Sequence, residues 1–482
     1  MAVHPNPFLA NASIGLLIPH QGASEEDSGI PESRASAYGP ALIFVWLTCP
    51  MDLESDAIQI CQDLIQIPSE NFGDRGYEAD VARYVANSLA EVGIASEIID
   101  SAPGRSNVVA KIEADSDRPG LVLHGHLDVV PADAKAWTYP PFSAQIADGA
   151  IWGRGAVDMK NMDAMMLACV RSWARNGIKP PRDISLVFFA DEEAGGEFGS
   201  HWLVEHRPDV FKGCNEAISE VGGFSVTLEN QTRIYLIETA QKGIHWMRLN
   251  ADLRAGHGSM IHEDNAVTEI AKAVANIGDH KWPMRRTKSV DELLEKCAQI
   301  LNQNLDLNDE DEVTEFVKRL GPVSRLIGAT LRNTANPTRL DAGYKENVIP
   351  QTASAVIDGR FLPGFEDEFD QTIQDLIGNH VSIETINRDI ALENSFEGAL
   401  IQNMIQSIAY EDPDGVAVPY ALSGGTDNKA LSKLGIRGYG FSPLKLPADL
   451  DFTSLFHGVD ERIPIDSLKF GARVLDRFLR NA

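Results

Sequence analysis

LVLHGHLDVVP, residues 121–131, sets two histidines and an aspartate into five successive positions directly after an apolar run. Side chains alternate along a β-strand, so His124, His126 and Asp128 share one face. Alone, the stretch reads equally well as a strand running into a polar turn with its histidines hydrogen-bonded, or as the rim of a functional site. Its neighbours decide the fold. NVVAKIE (107–113) and DISLVFFA (183–190) are short and apolar, as strands buried on both faces are. YEADVARYVANSLAEVG (77–93) carries apolar residues at 81, 84, 85, 89 and 92 and stops on glycine, which reads as a helix. DMKNMDAMMLACVRSWARNG (158–177) is a second helix, closed by Gly177, whose methionines 159, 162, 165 and 166 read as core packing. Strands alternating with helices from 51 to about 240 predict an α/β unit with a largely parallel sheet.

The pattern changes between 241 and 389. GIHWMRLNADL alternates like a strand, NAVTEIAKAVANIG is helical, SAVIDGRFL is a strand, FEDEFDQTIQDLIG a helix and VSIETI a strand. This β-α-β-α-β order, with a helical insert at about 285–340, predicts a small α+β unit with an antiparallel sheet. From 390 the α/β style returns and runs to a terminal helix near 464–481. The second unit (241–389) is thus inserted into the first (51–240 and 390–482). Residues 1–50 are rich in Pro, Ser, Ala and Gly without periodicity and read as a disordered extension, the product of an upstream start codon.

Composition narrows the function. Lys and Arg number 42 against 70 Asp and Glu in 482 residues, a formal charge of −28. Nucleic acid and anionic membrane surfaces would be repelled. The longest apolar run near the N-terminus, ALIFVWLTC (41–49), falls short of the roughly 18–20 residues of a membrane span. One Arg and no Lys precede it, so no basic leader is present and a cytoplasmic location is expected. Five cysteines without a CxxC pair read as reduced thiols. Any metal would therefore rest on His, Asp and Glu.

Further acids stand where strands run out, the usual place for sites in open α/β sheets. They are Asp158 in WGRGAVDMKN, Asp191, Glu192 and Glu193 in FFADEEAGG, and Glu220 in AISEVGG; SLFHGVDE adds His457. Carboxylates with two histidines suit two divalent ions. Of two adjacent glutamates pointing apart, one can bind metal while its neighbour faces a water. Asp128, two positions from His126, can orient that imidazole. A metal pair lowers the pKa of a water, and a nearby carboxylate can pass its proton to a leaving amine. That is amide hydrolysis.

HGHLDVVP, GRGAVDMK, ADEEAGG, ISEVGG, AGHGSM, ENVIP, DGRFLPG, GGTD and FHG follow one another as in the M20 metallopeptidase family, which the chain resembles from about 55 to 480. The resemblance implies a zinc-peptidase-like α/β catalytic domain with a mostly parallel sheet and an inserted ferredoxin-like α+β lid and dimerisation domain, in a homodimer. It implies that His126 and Glu220 hold one ion and His457 and Glu193 the other. Asp158 would bridge them, followed by a cis peptide. Glu192 would be the general base, Asp128 the residue orienting His126, and His257, from the partner subunit in many members, the oxyanion donor. Asn347 and Arg360 would hold the substrate. The ions expected are Zn²⁺, with Co²⁺ or Mn²⁺ as alternatives, and the substrate a small amide such as a dipeptide or N-acyl amino acid. Rival readings are an N-carbamoyl or ureido amidohydrolase, a two-metal phosphoesterase, and an inactive metal-binding scaffold, against which the presence of Glu192 stands. Asn161 departs from the Gly of many members. His124, His201, His206, His245 and His262 match no motif and read as structural or surface residues. The insert at about 285–340 enlarges the small unit and is a candidate to line or cover the pocket.

Overall fold

The computed structural model of the chain describes residues 52–482, so the extension read over 1–50 and Cys49 lie outside the described residues. Its larger sheet has ten strands. At its centre Gly120–His126, buried at every position, lies parallel between Ile184–Phe189 and Cys214–Ser219. Arg437–Gly440 continues the parallel set beside Cys214–Ser219, and Val416–Leu422 pairs parallel with Arg233–Gln241. The remaining pairings are antiparallel, so the sheet is mixed where a largely parallel one is expected. The cause is local: Ser96–Ala102 and Arg105–Ile112 are joined by two residues only, a length that permits a hairpin but no crossover.

Helices Leu53–Gln66 and Ile465–Leu479 pack with Lys160–Asn176 on the large core. The four methionines are buried there, as read from the sequence. Gly125 shows how closely the strand lies on that helix: a methyl group at this position would stand 2.2 Å from Asp163 Oδ1. Lys160, itself buried, donates from Nζ to the backbone oxygens of Leu64 and Ile67 at 2.9 Å, tying the ends of two helices together.

The smaller sheet runs Thr334–Ala342, Thr352–Phe361, Gly243–Asp252, Ser382–Asp389, all antiparallel. With helices Ala266–Asp279 and Glu366–Ile377 it forms the β-α-β-β-α-β unit of a ferredoxin-like fold. Alternate residues such as Met247, Leu249, Ala355 and Ile357 build its own core. Thr334–Ala342 is the strand that the periodicity does not reveal. It is an edge strand, mostly exposed, and its register breaks between Pro337 and Arg339; proline, which has no N–H to give to a ladder, is tolerated at such an edge.

The insert differs from its sequence reading. Helices Lys288–Ile300, Glu310–Lys318 and Ser324–Ala329 turn Val290, Leu294, Cys297, Phe316 and Ile327 into the larger core, not the smaller one. Helical periodicity tells which face is apolar, but not which of two cores will cover it. Apolar side chains therefore alternate along the chain: Met247 to Trp282 in the smaller core, Met284 to Leu331 in the larger, Ala335 to Val381 in the smaller again, and Phe396 in the larger. Lys242 joins two of the crossings, donating from Nζ to Ala329 O, Arg332 O and Thr334 Oγ1 at 3.1, 2.9 and 3.0 Å. Cys61, Cys169, Cys214 and Cys297 are free thiols. Among the described residues no helix is long and apolar enough to cross a membrane.

Candidate metal centre

The parallel strands deliver the acids to one point. His126 ends Gly120–His126, Glu192 and Glu193 open a 3-10 turn after Ile184–Phe189, and Glu220 follows Cys214–Ser219. Asp158 lies in the turn before Lys160–Asn176, followed by a cis peptide to Met159. His457 comes from a turn near the C-terminus with a φ of 57°. Gly458 behind it leaves no room for a side chain, since a methyl would lie 2.5 Å from Ser454 O.

Asp158 turns one carboxylate oxygen to each imidazole: Oδ1 is 3.0 Å from His126 Nε2 and Oδ2 is 3.3 Å from His457 Nε2. On the His126 side Glu220 Oε2 stands 3.5 Å from Nε2. On the other side Glu193 Oε2 stands 3.1 Å from His457 Nε2. Glu192 reaches no imidazole within hydrogen-bond distance, its Oε2 being 4.0 Å from His126 Nε2. Donor atoms of His126, Asp158 and Glu193 all lie within 4.8 Å of one another, as do those of His126, Glu192 and Glu220. Burial raises Glu192, reinforced by the charge of Glu220, and burial raises Glu220 to about 8, reinforced by Asp158. Hydrogen bonds that His457 donates to Asp158 and Glu193 lift it to about 10. Burial opposes charge on Asp158, yet its bonds to the two histidines outweigh that and hold it well below the usual range.

Asp128 is a hub. Its carboxylate accepts the main-chain N–H groups of Glu192 (3.1 Å) and Glu193 (3.0 Å) and the amide of Asn71 at 2.7 Å. His126 Nδ1 lies 3.0 Å from the backbone oxygen of Asp128 and 3.6 Å from its carboxylate, so the main chain makes the closer contact. Behind the hub, buried Arg105 bonds Glu78 at 2.5 Å, Asn71 at 2.9 Å and Asp191 at 3.0 Å. Asp191, in the left-handed region at φ 68°, aims the turn that bears both glutamates. Arg105→Ala leaves Glu78 and Asp191 buried without their cation, and urea unfolding should show a loss of about 3–5 kcal/mol. A loss under about 1 kcal/mol would mean that the network carries no load.

A cavity of about 260 Å³ opens beside Glu192, Glu193 and His457 and is walled by Trp246 and Arg360 of the smaller sheet. Arg360 is held by Asp358 at 2.6 Å through Nε and at 3.2 Å through Nη2. The helices of the insert do not line this cavity. Three residues given no role from the sequence do: His201, whose Nε2 is 3.5 Å from Asp389, and Asp427 and Lys429 from the GGTDNK stretch. Burial raises Asp427 to about 7 and lowers Lys429 to about 8. GGTD is visible as a motif, but which of its side chains turns inward depends on the backbone. His257 and Asn347 meet on the ribbon formed by Gly256–His257 and Val348–Ile349, where Asn347 O accepts the N–H of Gly258 at 2.9 Å. Both are exposed and neither lines the cavity of its own chain. His124 is buried, with Nε2 2.9 Å from Asn428 Oδ1; burial lowers it to about 4, which suits a neutral structural imidazole.

The donor set fits a pair of divalent ions. It has oxygen and imidazole ligands only, one carboxylate facing both histidines, and a buried oxygen, Glu193 Oε1, without a hydrogen-bond partner.

Comparison with known proteins agrees. The model of peptidase family M20/M25/M40 matches residues 122–481. A probable carboxypeptidase S-like protein 2 of Dictyostelium discoideum is 29% identical over 394 residues, which cover 74% of this chain and 70% of that one. An N-fatty-acyl-amino acid synthase/hydrolase of Xenopus tropicalis is 25% identical over 455 residues, covering 88% and 85%. The crystal structure of an M20 family metallo-carboxypeptidase from Sulfolobus solfataricus superposes with a TM-score of 0.67 at 18% identity, covering 89% of this chain and 99% of that one.

Proposed function

The chain belongs to peptidase family M20/M25/M40, and from that premise we propose that it hydrolyses the amide bond of a small carboxylate-bearing compound, a dipeptide or an N-acyl amino acid, with two divalent ions, Zn²⁺ first among them. The observation that carries this reading is Asp158 facing His126 with one oxygen and His457 with the other, with Glu220 and Glu193 on the two flanks. A carboxypeptidase and an N-acyl-amino acid hydrolase, the activities named for the two relatives, both act beside a free carboxylate.

Held by His126, Asp158 and Glu220 on one side and His457, Asp158 and Glu193 on the other, two ions would polarise the amide carbonyl and acidify water. The residues of the chain do the rest. Glu192, the one carboxylate of the cluster free of an imidazole, takes a proton from the attacking water as its oxygen bonds to the carbonyl carbon. It returns that proton to nitrogen as the C–N bond breaks. Asp128 keeps Glu192 and Glu193 in register through their main-chain N–H groups.

Arg360, braced by Asp358 through Nε and Nη2, clamps the substrate carboxylate with the terminal N–H groups left free. Arg360→Ala should raise KM about 10- to 100-fold with little change in kcat; an unchanged KM for carboxylate substrates would remove Arg360 from the site. His257, exposed on its ribbon, would serve the cavity of a partner subunit in a homodimer, with Asn347 beside it. Mixing His257→Ala chains with Glu192→Gln chains should restore part of the activity that each lacks, and no recovery would mean that the site is not shared across subunits.

The test is hydrolysis by protein loaded with Zn²⁺, Co²⁺ or Mn²⁺ of dipeptides, N-acetyl and long-chain N-acyl amino acids, and N-carbamoyl amino acids. Turnover of the first two groups is expected. Turnover of N-carbamoyl compounds alone would convert the reading to a ureido amidohydrolase. Binding of two metals with no turnover on any would favour the scaffold.

A further inference from the structure

Glu461 lies four residues beyond His457 and is fully buried. Its side chain reaches back across the fold to the turn that carries Asp158. Oε1 accepts the main-chain N–H groups of Val157 at 2.6 Å and Asp158 at 3.0 Å. Oε2 accepts the N–H of Gly155 at 3.1 Å and Nη1 of Arg154 at 2.7 Å. A carboxylate offers about four lone-pair positions, and here four donors fill them. Arg154, buried as well, extends Nη2 to the backbone oxygen of His457 at 3.4 Å. The link is closed on its far side by main-chain pairing: Gly153 N–H donates to Glu461 O at 2.9 Å, and Arg462–Pro464 runs antiparallel to Ala150–Trp152. Two turns about 300 residues apart in sequence, one bearing Asp158 and one bearing His457, are thus joined through a pair of buried charged side chains, Glu461 and Arg154. Nothing comparable joins Glu461 to the elements bearing His126 or Glu220.

We propose that Glu461, with Arg154, is a positioning residue that sets the spacing of Asp158 and His457 and thereby the binding of the second ion, the one shared by His457, Glu193 and Asp158. This rests on the two-ion reading above. The argument is geometric. His457 is in the left-handed region with its side chain half exposed; Leu455 and Phe456 anchor the chain ahead of it on the larger core, and the chain after it is fastened by Glu461 and Arg154. Its position relative to Asp158 depends on the bonds made behind it. His126, by contrast, ends a fully buried strand and needs no such brace.

Glu461→Gln keeps the shape and replaces one acceptor oxygen by an NH₂ group facing two donors, which pushes the turns apart. Metal content by mass spectrometry and titration calorimetry with Zn²⁺, together with the visible spectrum of the Co²⁺ protein, should show two equivalents in the unchanged chain. In Glu461→Gln one equivalent should remain tight and the other weaken about 10- to 100-fold. In a His457→Ala background, where the second ion is already lost, Glu461→Gln should leave the remaining ion unaffected. Arg154→Lys, which keeps the charge but cannot reach both Glu461 and the His457 carbonyl, should shift the same equivalent by less, and it serves as the readout if Glu461→Gln does not fold. Asp56→Asn, which breaks a buried ion pair with Arg171 and Arg175 on the helix layer, should lower the melting temperature and keep both ions. Fewer than two equivalents in the unchanged chain would overturn the two-ion reading itself. Two equally tight equivalents in Glu461→Gln, or equal weakening of both, would overturn this inference alone.

Discussion

Replacing Glu192 by glutamine should lower kcat by about 10²- to 10⁴-fold, the usual worth of a positioned general base, while both metals stay bound. Glutamine matches the shape of the side chain and has no basic oxygen to take a proton. The segment itself is held by Asp128 through the main-chain N–H groups of residues 192 and 193, which the substitution leaves in place. Burial and the nearby charge of Glu220 push the Glu192 carboxyl upward, the direction that suits a group asked to accept a proton near neutrality. Single-turnover kinetics with metal content measured on the same sample separates the outcomes. Near-normal turnover would move the base to another residue. Loss of metal along with turnover would make Glu192 a ligand, which its distance of 4.0 Å from His126 Nε2 would then have to accommodate.

Asp158→Asn should act differently, by removing at least one of the two ions. An amide has one acceptor oxygen, so one of the two imidazoles would face an NH₂ group where it now faces a carboxylate oxygen 3.0 or 3.3 Å away. Losing an ion removes several kcal/mol of transition-state stabilisation, so turnover should fall roughly a thousandfold or more. The fold should survive, because the turn is fastened through the main-chain N–H groups that Glu461 accepts and not through the Asp158 side chain. Metal analysis and circular dichroism on one preparation would show it. Two bound ions in the variant would refute the bridging role.

The central strands and the long helices were legible because their signals are local. GLVLHGH and DISLVFFA are apolar without interruption and lie where both faces are buried. The helix opening at Lys160 ends where Gly177 takes up a left-handed cap. The site was legible through the ordered motifs of the family and not through spacing, since Asp158, Glu193 and His457 meet only after some 300 residues of chain have folded between them. What escaped depends on tertiary choice. Thr334–Ala342 carries a proline and exposes most of its side chains, so no alternation marks it as a strand. The insert helices show an apolar face but no address for it. His201 owes its place at the cavity to the left-handed turn at Gly196 and Lys429 to the short helix Asn428–Ser432, whose directions no pattern of side chains announces.

The alternation of side chains between the two cores bears on how the smaller unit can move. A domain inserted once into another hangs on two strands of backbone and can swing about the line between them. Here the backbone crosses four times, near residues 242, 283, 333 and 390, and the Lys242 ammonium clasps the first crossing to the third. A plate fixed at four points, two of them riveted together, resists both twisting and swinging. Arg360 and Trp246 should therefore keep their places across the cavity from Glu192, so its shape is set by the crossings of the chain before any substrate arrives.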